Sequence, residues 1–462
     1  MKNRITESFY IIGTAIIILF LTSFIPTEKE IAPNFILRNI DIFSDIKVVE
    51  ENNDLINSLP ELNISKASMF TNFDLPSFDG FSGVFNDATA PFFQGRKSPI
   101  AGNKKQLSYF FEALKSAKTK TVRVAHYGDS AIEGDLVTAD IRETLQKRFG
   151  GTGVGWLGIV SQDITFRMTT KHSFSNNWDA AALYSSNPKN FPLGISGEVS
   201  IPKGNSWVQY DATRARSYLN GFTNVKLYYS NAKNSQISYS FDGTPAQRVG
   251  LKSDMGIQEL VLTNKSRARS IKLEFPLAQQ AEVFGVSLEN ETGIYVDNLP
   301  LRGNSGVDLG SLSVPMLKDF SKYLDYKLII LEFGLNIAGT RTDYTWYERE
   351  MIKVINNFKS AFPKSSIILV SVHDKAMKKG SEFITDPAII QLHAVQKTIA
   401  EKADVAFWSL FDAMGGENSM ATWVSANPPL AFKDYIHFNE QGAKKVAQLF
   451  TEALLDEFAK FK

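Results

Sequence analysis

Several short, widely separated segments carry residue types that could together cleave an ester. The first is Val124 to Asp135, VAHYGDSAIEGD, where an apolar run ends in Gly-Asp-Ser. Alone, Gly-Asp-Ser is turn chemistry, because glycine tolerates positive φ and Asp and Ser bond their own backbone. A serine at the carboxyl end of a parallel strand is also where open α/β sheets place their sites, so Ser130 is a candidate nucleophile. A serine nucleophile needs a base for its proton, an acid to orient that base, and donors for the developing oxyanion.

Five histidines are available as the base. His126 lies inside the strand before Ser130 and reads as a core or supporting residue. His172 and His393 have no acidic or motif context, and His373 sits at a strand end beside Asp374. His437 stands in KDYIHFNEQGAKKVA, three residues after Asp434, on a loop entering the final helix. That spacing lets the Asp434 carboxylate reach Nδ1 while Nε2 faces outward, the orienter-and-base arrangement of a triad. For the oxyanion, LIILEFGLN ends a strand in Gly334-Leu335-Asn336, and the Asn336 amide can donate without titrating. Upstream, LPLRGNSGVDL offers Gly303 and Gly306, either of which allows close backbone approach and a second N–H donor.

These residues need a scaffold. LSYFFEALKSAK is amphipathic at helical spacing, TVRVAHYG is a strand running into Ser130, and Val137, Ile141 and Leu145 mark a helix face that ends at Gly150-Gly151. Farther on, YKLIILEFG is a strand, followed by a helix through Trp346, Ile352, Ile355 and Phe358. SSIILVSV is another strand, then come a helix from Pro387 to Ala403, a short strand VAFWSLFDAM, and a closing helix from Glu440 to Phe461. Strands alternating with helices predict a parallel sheet covered on both faces.

Between these halves, roughly 161–289, the pattern changes. GEVSIPKGNSWVQYDA, TNVKLYYS, SQISYSFDG, SIKLEFP and AEVFGVSLEN are short alternating segments split by Gly, Pro, Asn and Ser. They predict an all-β, jelly-roll-like sandwich inserted into the α/β domain. Trp178, Trp207, Tyr228 and Tyr229 are aromatics that could stack sugars if exposed, although alternation should bury about half of them.

Gly-Asp-Ser, a glycine turn, Gly-x-Asn and Asp-x-x-His, in that order, resemble the SGNH (GDSL-type) hydrolase superfamily over about 106–158 and 296–461. The resemblance implies a three-layer α/β/α fold, Ser130 as nucleophile, and His437 as base with Asp434 behind it. It implies an oxyanion hole of the Ser130 N–H, a glycine and Asn336, with Gly306 the best-aligned glycine and Gly303 still open. HYGDSAIEGDLVTADIRETLQKRFGGTGVGW is similar to membrane-anchored bacterial proteins related to peptidoglycan O-acetylesterases. Those carry a carbohydrate-binding-module-like sandwich at the position of this insertion. The implied activity is serine-dependent removal of O-acetyl groups from peptidoglycan or another cell-envelope polysaccharide, with no cofactor and no metal. The same acetyl-enzyme would serve an O-acetyltransferase, for which a polytopic membrane acyltransferase is the expected partner. A catalytically idle glycan-binding protein is the reading from another class. GGTGVG follows a helix instead of opening one after a strand, which argues against dinucleotide binding.

The rest of the composition bounds the answer. The chain has 462 residues, 44% hydrophobic and 21% charged, which suits a globular protein with a sizeable core. Lys+Arg 50 against Asp+Glu 49 leaves a formal net charge of +1, with no basic patch to favour nucleic acid. Absence of cysteine removes disulfides and thiol chemistry. Lys2 and Arg4 precede an apolar run from Phe9 to Ile25, about 17 residues and the lower edge of a membrane span. The expectation is residues 1–26 as an uncleaved inner-membrane anchor or a removed signal, and the chain beyond Pro26 in the periplasm. Residues 27–104 read as a tether, 105–160 and 291–462 as the two parts of the hydrolase domain, and 161–290 as the insertion.

Overall fold

The computed structural model describes residues 29–32, 35–37 and 96–461, apart from 162–165, 277–280, 291 and 340–342. The apolar run at 9–25 lies outside these residues. No helix among the described residues is long and apolar enough to cross a membrane. The chain divides into two compact units, Met1–Phe85 and Asn86–Lys462. In the first, strands Lys29–Ala32 and Phe35–Leu37 pair antiparallel.

The second unit is built on a sheet of five parallel strands: β1 (Thr121–Gly128), β2 (Gly293–Pro300), β3 (Tyr326–Glu332), β4 (Ser366–Val370) and β5 (Ala406–Trp408). They lie in the order β2-β1-β3-β4-β5, and Ala101–Gly102 adds an antiparallel edge strand beside β5. Residues 96–104 were expected at the end of a tether, and they are instead part of this fold. Trp408 Nε1 donates to Ser98 O at 3.0 Å.

The strands read as continuous apolar runs because both faces are covered. Val122 and Val124, Leu328 and Ile330, and Ile368 and Val370 face one way. They pack on helices α1 (Ser108–Lys115), α2 (Thr138–Phe149) and α5 (Glu440–Lys460). Ala125 and Tyr127, Ile329 and Leu331, and Ile367 and Leu369 face the other way. They meet α3 (Thr345–Ala361) and α4 (Pro387–Lys402). The result is a three-layer α/β/α sandwich. One local expectation is corrected: the strand expected through VAFWSLFDAM stops at Trp408. The Ser409 hydroxyl there accepts from Asp412 N–H at 3.0 Å and caps a short helix, Leu410–Met414.

Two antiparallel sheets form the inserted sandwich. One, in the order Gln258–Ala268, Phe222–Ser230, Glu282–Glu289, Glu198–Pro202 and Trp178–Ala182, is also joined by Gly155–Leu157 on its third strand. The other contains Gln247–Gly250, Gln236–Phe241, Ser270–Phe275, Ser206–Ala212 and Thr170–Phe174. The first sheet is buried on both faces. Val225, Leu227 and Tyr229 enter the sandwich core, while Tyr228 turns to the α/β domain and stacks on Trp156 with ring centroids 5.4 Å apart. Tyr228, Tyr229 and Trp178 are therefore buried and offer no face to a sugar. Trp207 stays half-exposed, with the Lys272 ammonium over its ring.

Where insertion and parallel sheet meet, charge is buried. Arg123 on β1 is 3% exposed. Its guanidinium donates to both carboxylate oxygens of Asp297 on β2, to Ser287, and to Glu289 of the insertion. Asp297 also accepts from Tyr326 OH at 2.8 Å and Trp156 N–H at 2.9 Å. Burial would raise the Glu289 carboxyl, but Arg123 and Lys226 hold it well below its ordinary value. Removing the cation would leave the buried Asp297 carboxylate without one and Glu289 with Lys226 alone, so Arg123→Ala should destabilise the fold by about 3–5 kcal/mol, read by urea denaturation. A loss near zero would mean that water already screens the cluster.

Candidate active site

Strand β1 delivers Ser130 to the carboxyl edge of the sheet. Asp129 follows the strand, and its Oδ1 accepts from Ala131 N–H at 3.0 Å, opening a kinked 3₁₀ segment over Ser130–Asp135. The loop then reverses sharply through Gly134, Asp135 and Val137, all at positive φ. A β-branched valine at φ +58° is strained and needs the surroundings to hold it. Arg142, one turn into α2, does so. It grips the Asp135 carboxylate at 2.7 and 2.9 Å and donates to Val296 O on β2, while Thr169 of the insertion donates to Asp135 at 2.7 Å.

From the other end of the domain, the loop before α5 brings Asp434 and His437. Asp434 Oδ1 accepts from the backbone N–H groups of Ile436 and His437, at 2.9 and 3.1 Å. Its Oδ2 meets His437 Nδ1 at 2.8 Å, and His437 Nε2 lies 3.3 Å from Ser130 Oγ. Burial alone would raise the Asp434 carboxyl, yet the imidazole and the two backbone donors bring it below its ordinary value. The imidazole is thus held with Nδ1–H toward a carboxylate and Nε2 toward a hydroxyl. A serine so placed can lose its proton as it attacks a carbonyl carbon.

The other histidines are engaged elsewhere. His172 Nε2 bonds Ile159 O, and His393 Nε2 bonds Ser409 Oγ. His373 supports the site from behind: its Nε2–H donates to Ile436 O at 2.9 Å and its ring packs on Phe438. Burial holds it neutral, with its pKa lowered to about 4. His126, wholly buried in β1, links Thr138 Oγ1 at 2.9 Å to Glu332 Oε2 at 3.0 Å. Asn298 donates to both Thr138 Oγ1 and Ile132 O. This buried chain ties the strand ends of β1, β2 and β3 together beneath the serine turn.

The structure brings the oxyanion candidates to the same edge but commits some of their donors. Leu301 N–H donates to Gly128 O, so the chain leaving β2 passes directly beside the serine turn. Asn336 Nδ2 donates to Asn304 O at 3.0 Å and, at a long 3.3 Å, to Asp129 Oδ2. Gly306 N–H is held by Asn304 Oδ1 at 2.7 Å. The expectation of Gly306 as a donor does not fit this bond. Its glycine has a packing reason instead, since a Cβ there would meet the Phe333 ring at 2.8 Å. Gly303, at φ +73° on an exposed turn with open space around it, is the glycine that remains as a candidate.

No family model matches the sequence, and no curated protein does. Among solved structures, the chain is similar to a peptidoglycan O-acetylesterase caught in action. The two share 20% identity and a TM-score of 0.64, over 78% of this chain and 98% of that one. The chain has the SGNH-hydrolase fold. A family two carbohydrate esterase from Cellvibrio japonicus matches at 10% identity over 63% of this chain and 100% of its own, with a TM-score of 0.25. An acetyl xylan esterase matches at 20% identity over 35% and 81%, with a TM-score of 0.28. Likenesses that slight carry no argument.

Within this SGNH fold, Asp129 and Asn304 are site residues that the sequence motifs did not single out beyond the Gly-Asp-Ser string. Asp129 is 2% exposed, and burial, with Glu332 nearby, pushes its carboxyl up to about 7 against its Ala131 N–H bond. A carboxyl raised in the fold binds its proton more tightly there than in the unfolded chain. Its contribution is therefore most favourable at low pH and declines as pH rises from about 4 to about 7. Urea midpoints of the wild type relative to Asp129→Asn should fall across that window and level off above it. A flat difference would show that Asp129 is already ionised inside the fold.

Proposed function

We propose that the protein is a serine esterase that removes O-acetyl groups from a cell-envelope glycan, peptidoglycan or a related polysaccharide. The observation that carries the reading is the continuous Asp434–His437–Ser130 relay at the carboxyl edge of the sheet, with bonds of 2.8 and 3.3 Å. The likeness to a peptidoglycan O-acetylesterase over most of both chains supports the choice of substrate.

In this reading His437 Nε2 takes the Ser130 hydroxyl proton as Oγ bonds the acetyl carbon. The carbonyl oxygen becomes an oxyanion, met by the Ser130 and Gly303 N–H groups and by Asn336. The long Asn336–Asp129 bond is the one that yields, freeing an Nδ2–H for the oxyanion. Collapse breaks the C–O bond to the sugar, and His437 returns its proton to the departing alkoxide. A water molecule, deprotonated by His437, then attacks the acetyl-enzyme; the Oγ–acetyl bond breaks, acetate leaves, and His437 returns the proton to Ser130 Oγ. Asp434 keeps the imidazole oriented and stabilises its cationic form.

The test is acetate release from acetylated peptidoglycan and other acetylated glycans, with and without a sugar acceptor. Ser130→Ala and His437→Ala should each abolish turnover, because the two act as a unit. Asp434→Asn should cost on the order of 10⁴ in kcat, as the lost orienter does in other triads. Asn336→Ala should lower kcat by roughly 10²–10³ with KM little changed, since its donor acts on charge present mainly in the transition state. Acetate release by a folded Ser130→Ala protein would sink the assignment. Product in which a sugar acceptor replaces water would make the enzyme a transferase, with a polytopic membrane acyltransferase as its natural partner.

The same reading places the catalytic unit outside the cytoplasm, anchored through the apolar run Phe9–Ile25 with Lys2 and Arg4 on the inner side. A reporter active only in the cytoplasm, fused after Lys462, should be silent. A strong signal would reverse the orientation.

A further inference from the structure

Beside the triad, between the α/β domain and the insertion, lies a cavity of about 300 Å³ that the relay itself does not use. Three of its walls are large apolar side chains that remain exposed in the folded protein: Phe166 at 43%, Met168 at 50% and Phe432 at 55%. Exposed apolar side chains gathered around one cavity are a recurring mark of ligand-binding grooves.

The cavity lies on a definite side of the chemistry. Phe432 N–H donates to His437 O at 2.9 Å, and Phe438, which also lines it, follows His437 directly. Among the described residues, neither Gly303 nor Asn336 contributes to its wall. It therefore adjoins the loop that carries His437 and not the segments that carry the oxyanion candidates. His437 must hand its proton to the departing oxygen, so the leaving group has to lie on the imidazole's flank.

Phe166 is positioned for contact. Gly134 gives its ring room, because a Cβ at that position would stand 2.6 Å from it. The Arg302 guanidinium, itself tied to Glu133 at 2.6 Å, lies 5.8 Å from the Phe166 ring centroid. Polar side chains line it too, among them Asp135, Asp140, Thr169, Arg216 and Glu440, with Arg216 Nη1 bonded to Asp140 at 2.7 Å. Apolar faces beside polar groups suit a pyranose ring, which presents C–H faces above and below and hydroxyls at its edge. An alkyl chain would have no use for those polar groups.

We propose that this cavity is a subsite for the sugar ring on the leaving-group side of the scissile acetyl ester, gripped between Phe166 of the insertion and Phe432 of the catalytic loop. The proposal rests on the esterase reading for its substrate class. Two measurements separate the two. The first is kcat/KM on an acetylated glycan divided by kcat/KM on p-nitrophenyl acetate. That ratio should fall about tenfold or more in Phe166→Ala and in Phe432→Ala, chiefly through KM on the glycan.

The second is binding of a β-1,4-linked N-acetylhexosamine tetrasaccharide without O-acetyl groups to Ser130→Ala, followed by NMR titration. Adding Phe432→Ala should weaken it by a similar factor. If no acetylated glycan is turned over but the tetrasaccharide binds in a Phe432-dependent way, the esterase reading fails and the subsite stands. If the tetrasaccharide does not bind, or neither substitution affects it, the subsite is overturned. It is equally overturned if the substitutions change the preference between acetyl and butyryl p-nitrophenyl esters more than the glycan ratio, because the cavity would then take the acyl chain.

Discussion

A buried guanidinium holds the α/β domain and its insertion in register. Arg123 sits in the central strand with almost no solvent contact, and a lone buried cation would cost far more than a domain's net stability. Its partners come from two strands: Asp297 on the neighbouring strand, and Ser287 and Glu289 on the last strand of the insertion. The insertion therefore cannot swing away without exposing or stranding charge. Asp297 extends the joint by accepting from Tyr326 on β3 and from the backbone of Trp156, where the chain first enters the sandwich sheet.

That rigidity reaches the serine by a second, smaller clamp. The loop after Ser130 adopts positive φ at three consecutive turning points, including a valine. Such a loop keeps its shape only because Asp135 is held by Arg142 from α2 and by Thr169 from the insertion. Beneath it, Glu332, His126, Thr138 and Asn298 link the ends of three strands through buried polar contacts. Ser130 thus stands on a platform of buried, hydrogen-bonded polar side chains, where loss of one partner is costly.

The electrostatics differ on the two sides of the serine. Asp434 is partly exposed, bonded to an imidazole and to two backbone donors, and is favoured as a carboxylate. Asp129, a residue away from Ser130, is buried near Glu332 and is pushed toward the neutral acid. Two aspartates within one site are separated by environment in the way acid and base assignments usually are. Asn336 reaches only Asp129 of the two, and through a long bond of 3.3 Å.

Much of this was legible from residue order. Continuous apolar strands alternating with amphipathic helices determined a doubly covered parallel sheet, because only that architecture buries both faces of such strands. Asp434 and His437 are three residues apart, so local geometry alone could pair them. Long-range pairing was not legible. Which glycine could serve the oxyanion depended on an Asn304 side chain two residues before Gly306, and the sandwich aromatics lost their exposure because the first sheet packs on both faces. His373, beside Asp374 at a strand end, looked unremarkable in the sequence because its partner, Ile436 O, is 63 residues away. Sequence by itself determined which residue types lie at which strand ends. Tertiary structure alone decided which of their donors and faces remain free, because a hydrogen bond or a ring face already taken by a distant neighbour leaves no trace in local spacing.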